Sequence, residues 1–143
     1  MIAIKGICAL LVAAVVGSPQ SAFAQARAKA DVACRPTSTA LQYDCTITLT
    51  NSRTSEPLSG VTLTVGADMP SMPMMHNVRP VKAAPGQGSG TYQASLMLEM
   101  HGDWALQLNL SGPLRDRVVT ILRFEPDRVT PAAASRTPPR HKH

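Results

Sequence analysis

Between Asp31 and Pro126 apolar and polar residues alternate with a period of two, not with the 3.6-residue spacing of an amphipathic helix. The stretch DCTITLT sets Cys45, Ile47 and Leu49 against Thr46, Thr48 and Thr50, and VTLTV sets Val61, Leu63 and Val65 against two threonines. TYQASLMLEM sets Tyr92, Ala94, Leu96, Leu98 and Met100 against Gln93, Ser95, Met97 and Glu99. WALQLNL follows with Trp104, Leu106, Leu108 and Leu110 on one parity, and RVVTILRF closes the series. Each segment therefore buries one face of a pleated strand. NSRTSEP, APGQGSG, HGD and SGP separate them with turn-forming residues. Six or seven short strands, each apolar on one side, bury those sides by stacking as two sheets. The expected fold is all-β, an immunoglobulin-like antiparallel β-sandwich of about seven strands.

The ends of the chain lack this alternation. Residues 1–24 carry Lys5, an apolar run from Gly6 to Val16, breakers at Gly17 and Pro19, and Ala22-Phe23-Ala24 ahead of Gln25. This is the layout of a cleavable secretory signal peptide, and its apolar run is shorter than the roughly 20 residues that span a bilayer. The sandwich is assigned to residues 25–126. Residues 127–143, rich in Pro, Ala and basic side chains, read as a disordered tail. The mature protein is expected in the periplasm or outside the cell, with no stable membrane insertion once the signal is removed.

Export changes how the cysteines are read. Cys8 lies in the signal peptide, leaving Cys34 and Cys45 of the three cysteines. Two cysteines in an exported domain pair as a disulfide, and CRPTSTALQYDC holds Pro36 and a Ser/Thr cluster that suit a turn between two strands. A thiolate metal site is the competing arrangement, but the spacing is far wider than C-x-x-C and no third thiol remains.

Composition narrows the function further. There is no G-x-S-x-G elbow, phosphate-binding glycine loop, H-E-x-x-H or recognisable carboxylate pair, so an enzyme is not expected. The formal charge of +5 is concentrated partly in the tail, and the mature aromatics Tyr43, Tyr92, Trp104 and Phe124 fall at core parities. Nucleic-acid binding, which needs basic residues interleaved with exposed aromatics, is not expected either.

The chemistry concentrates in GADMPSMPMMHNV. Met69, Met72, Met74 and Met75, four of the seven methionines, stand within seven residues, broken by Pro70 and Pro73 and followed by His76. The prolines exclude an ordinary helix and call for an extended, polyproline-like or edge-strand segment. As a strand it aligns Met72, Met74 and His76 at about 6.6 Å per two-residue step. As a polyproline helix it aligns Met69, Met72 and Met75 about 9 Å apart. LMLEMHGDW adds Met97, Met100 and His101 beside a hairpin, with Met100 on the buried parity and Met97 and His101 on the outward one. Neutral thioethers with an occasional imidazole suit Cu(I) or Ag(I) over harder divalent ions. Methionine also fills irregular cores and lines adaptable protein-binding surfaces, so metal binding, core packing and partner binding all stay open.

ADMPSMPMMHNV, PGQGSGTYQASLMLEMHGDWALQLNLSGP and VVTILRF together resemble the YtkA-like domain of exported bacterial proteins. The resemblance runs from Pro57 to Phe124. It rests on a Met/Pro segment ending at His76, a G-x-Y strand start at Gly90 and Tyr92, an M-x-G-x-W hairpin at Met100, Gly102 and Trp104, and a G-P turn at Gly112 and Pro113. It implies a sandwich module associated with heavy-metal efflux or copper handling, similar in strand pattern to FixH-type proteins of cytochrome-oxidase assembly. Here a cleavable signal stands where the FixH type keeps a membrane helix. The expected function is a Cu(I)/Ag(I)-binding module using Met72, Met74, Met75 and His76, with Met69, Met97, Met100 and His101 in support and a metal-efflux or oxidase-assembly protein as partner. The alternative is a non-metal module that docks the same Met-rich edge onto such a partner.

Overall fold

The computed structural model describes residues 26–76 and 78–132. The expected signal peptide and residues 133–143 of the expected tail lie outside them. Where the sequence alternates most cleanly, burial follows. Tyr43, Cys45, Ile47 and Leu49 are buried while Asp44, Thr46 and Thr48 are exposed, and Trp104, Leu106 and Leu108 are wholly inaccessible. β-branched threonines on the outward positions favour the extended backbone, and the aliphatic residues opposite them supply the interior.

Among the described residues these patterns make nine strands and no helix. Six are long: β1 (Ala28–Pro36), β2 (Gln42–Asn51), β3 (Thr62–Asp68), β6 (Thr91–Met97), β7 (Gly102–Ser111) and β8 (Asp116–Phe124). Three are short: β4 (Val81–Lys82), β5 (Ala84–Pro85) and β9 (Val129–Pro131). One sheet has the order β1-β2-β6-β5 and the other β4-β3-β7-β8-β9, with every pairing antiparallel. Their inner faces share one apolar cluster, giving the expected β-sandwich.

Two differences from the expected layout have local causes. The alternation of TYQASLMLEM does not reach its end: β6 stops at Met97, residues 99–101 bend, and Met100 is 40% exposed instead of sharing the burial of Leu96 and Leu98. Residues 127–132 do not begin a disordered tail. A turn closed by the Arg128 carbonyl accepting from the Glu125 amide returns the chain so that β9 pairs with β8 along the sheet edge. Pro131 is tolerated there because an edge strand leaves one side of its backbone unpaired.

The cysteines stand directly opposite one another in the β1–β2 register and are joined by a disulfide. With a sequence separation of 11, the cross-link restricts a short loop, worth about 3 kcal/mol through unfolded-chain entropy. The purified protein should therefore show no free thiol when denatured without reductant. Reduction should lower its unfolding free energy by about 3 kcal/mol, and labelling of both Cys34 and Cys45 before reduction would contradict the bond.

The G-x-Y pair at the start of β6 has a structural role. Gly90 has φ +69°, and a β-carbon there would lie 2.6 Å from the Leu49 carbonyl oxygen, which accepts the Leu58 amide. Only glycine admits both the backbone angle and that approach. Two residues on, the Tyr92 hydroxyl donates to the Leu58 carbonyl at 2.8 Å and accepts from the Val61 amide at 3.3 Å. Together they tie the β2–β3 connection to the sandwich.

Candidate functional site

The methionine-rich segment links the end of β3 to β4 and is neither a strand nor a polyproline helix. Met72 donates its amide to the Met69 carbonyl at 3.1 Å, and Met75 donates to the Met72 carbonyl at 3.3 Å, so the chain makes two successive turns. Pro70 and Pro73 occupy the second position of each, where their fixed φ is already suited to turning. Met74, third in the second turn, has φ +61°, and its amide donates to Asp68 Oδ1 at 3.4 Å. Both alignments expected from regular backbone are thereby lost. Instead the side chains diverge: Met69 is 5% exposed, Met72 39%, Met75 75% and Met74 92%.

The two ends of this loop rest on the start of β7. Met69 turns inward over Gly102, where a β-carbon would come within 2.9 Å of the Met69 methyl. With φ +136° as well, Gly102 is the residue that lets this thioether enter the core. Two positions along the same face, the Trp104 ring packs against the His76 ring with centroids 5.1 Å apart. The Trp104 Nε1–H donates to the Met100 carbonyl at 3.1 Å, which fixes the hairpin beneath the loop. The hairpin motif M-x-G-x-W is thus the floor on which the methionine loop sits.

His76 is the chemical centre of this arrangement. Its side chain is only 12% exposed, and Nδ1 lies 2.7 Å from Glu99 Oε2. A carboxylate only accepts, so Nδ1 carries the hydrogen and, in the neutral imidazole, Nε2 carries the lone pair. That Nε2 atom is buried and has no hydrogen-bond partner among the described residues. Leaving such an acceptor unsatisfied costs about 1–3 kcal/mol, and a carboxylate orienting the other nitrogen is the usual support of a metal-binding histidine.

The remaining candidates are dispersed. Met100 contributes its backbone to the hairpin while its side chain stays exposed. Met97 points outward from the first sheet, opposite Gln42. His101 lines a separate cleft of about 240 Å³ between the β1–β2 turn, Tyr43 and Pro126. Sequence reasoning did not single out Glu99, which reads only as an outward polar residue. Its pairing with His76 crosses 23 positions and leaves no periodic trace.

An oriented imidazole nitrogen at His76, a buried thioether at Met69 and exposed thioethers at Met72, Met74 and Met75, all in one loop segment, offer soft, mostly neutral donors. Among the described residues no group of three His, Cys, Asp or Glu side chains is placed to hold a metal ion. The donor set fits a monovalent soft cation better than Zn²⁺, Mg²⁺ or Ca²⁺, whose sites draw on thiolates, several imidazoles or carboxylates.

Neither a curated protein nor a solved structure matches this chain. The profile of one family, described as YtkA-like, matches residues 26–109, more than half of the chain. The match begins before β1, so it takes in the disulfide-linked hairpin as well as the methionine loop and most of β7. The chain belongs to the YtkA-like family.

Proposed function

We propose that this protein is an exported soft-metal-binding module that takes Cu(I) or Ag(I) as cargo at the methionine-rich end of its sandwich. The observation that carries this reading is the buried, unpartnered His76 Nε2, held in orientation by Glu99, at the end of a loop segment that also carries the exposed thioethers of Met72, Met74 and Met75. Imidazole and thioether donors together select Cu(I) and Ag(I), and neither must lose a proton when the histidine is neutral. The disulfide fits an oxidising compartment, and no described helix is long and apolar enough to cross a membrane. The signal-peptide-like pattern of residues 1–24 supports export as the route. The family resemblance supports a reading in which the module is accessory to metal efflux or copper handling and works with a protein of that system.

Replacing His76 with phenylalanine tests the assignment. The ring can still pack on Trp104, the unsatisfied nitrogen disappears, and Glu99, 46% exposed, can turn to water. Stability should change by less than about 1 kcal/mol, because the lost hydrogen bond and the relieved orphan oppose each other. Affinity for Ag(I), measured by titration calorimetry, should fall at least about tenfold. An unchanged affinity would remove His76 from the site.

The exposure of Met74 and Met75 also favours a second reading, in which the loop is a docking edge for a protein partner without metal. The sulfur-specific substitutions in the Discussion separate the two.

A further inference from the structure

The thioethers at this end of the protein differ sharply in access, and the difference is built into the turns. Pro73 and the left-handed backbone of Met74 project its side chain into solvent at 92% exposure, with Met75 beside it at 75%. Met69, five residues earlier, is sealed over Gly102 at 5%. Accessible methionine is readily converted to its sulfoxide, and sealed methionine is protected.

We infer that Met74 and Met75 form a reversible oxidation site that switches soft-metal capture off. The inference rests on the proposed Cu(I)/Ag(I) binding by these residues. With hydrogen peroxide as oxidant, the sulfur lone pair attacks one peroxide oxygen and the O–O bond breaks. A sulfur–oxygen bond forms, and the second oxygen leaves as water. The sulfur gives up two electrons, the peroxide takes them up, and no net proton is released. The product presents a polar sulfoxide in place of the thioether and loses the soft donor that favours Cu(I). Both side chains stand outside the core, so the fold tolerates the change. Reduction by methionine sulfoxide reductases consumes two thiols, yields a disulfide and water, and restores the site.

The test uses the signal-free protein and limiting hydrogen peroxide, with each methionine followed by peptide mass spectrometry. Met74 and Met75 should oxidise at least about tenfold faster than Met69, with an unchanged melting curve. Competition against a chromophoric Cu(I) chelator should then weaken at least about tenfold, and recover after treatment with reductases for both sulfoxide epimers. An unoxidised sample carried through the same reduction controls for the Cys34–Cys45 bond. Equal oxidation of Met69 and Met74, or Cu(I) binding that survives oxidation of both loop residues, overturns the switch while leaving the metal site standing. Failure of the untreated protein to bind Cu(I) overturns the metal site and the switch with it.

Discussion

Replacing Trp104 with alanine is expected to destabilise the protein by about 3–5 kcal/mol, the usual effect of emptying a buried site of this size. The side chain is wholly inaccessible and lies on the inner face of β7 with Leu106 and Leu108. Its Nε1–H is bonded to the Met100 carbonyl, which would lose that partner, and its ring supports His76. The substitution therefore opens a cavity, frees a carbonyl and removes the platform beneath the methionine loop at once. In a sandwich of this size such a loss is a large part of the total stability. A denaturant titration measures it directly. A loss below about 1 kcal/mol would show that Trp104 is not a core residue, and that its place beside His76 serves the ligand instead.

Replacing Met72, Met74 and Met75 together by leucine should have the opposite signature, with function lost and fold kept. Leucine is close to methionine in volume, and such exchanges usually cost under about 1.5 kcal/mol even in cores. These three side chains are 39%, 92% and 75% exposed, so the effect on stability should be smaller still. The sulfur is removed completely. Affinity for Cu(I) should fall at least about a hundredfold if the loop supplies the soft donors, whereas selenomethionine at the same positions should keep it. A partner that recognises only apolar shape would bind the leucine variant nearly as well as the parent. A leucine variant that competes for Cu(I) as well as the parent would overturn the methionine metal site and leave the loop as an interaction surface.

The strands of this protein are legible because one-sided burial imposes a period of two. Ile47 and Leu49, or Leu106 and Leu108, cannot leave the interior without bringing a threonine or glutamine into it. The short strands are not legible for the same reason reversed. β4, β5 and β9 have two or three residues each, too few for a pattern, and their pairing is set by the neighbouring edge. At Met100 pattern and structure part, because alternation in sequence continues past Met97 whereas the backbone has already left the strand.

At the site, residue type was readable and geometry was not. The methionines and His76 stand out as soft donors in any arrangement. Two prolines that could equally hold an extended segment instead open two turns, a choice settled by Met69 finding space over Gly102 and His76 finding Trp104. Both partners lie more than 25 residues away in the chain. Glu99, which orients the imidazole, likewise becomes visible only when the hairpin is brought under the loop.

The most direct test is competition for Cu(I) between the signal-free parent protein and a chromophoric chelator, under anaerobic reducing conditions with the disulfide verified intact. The account predicts that the protein withdraws about one Cu(I) per chain as its concentration rises, with the chelator's absorbance falling accordingly. A chelator that retains all of its copper at every protein concentration would contradict the metal site and leave the methionine loop as a surface for protein partners alone.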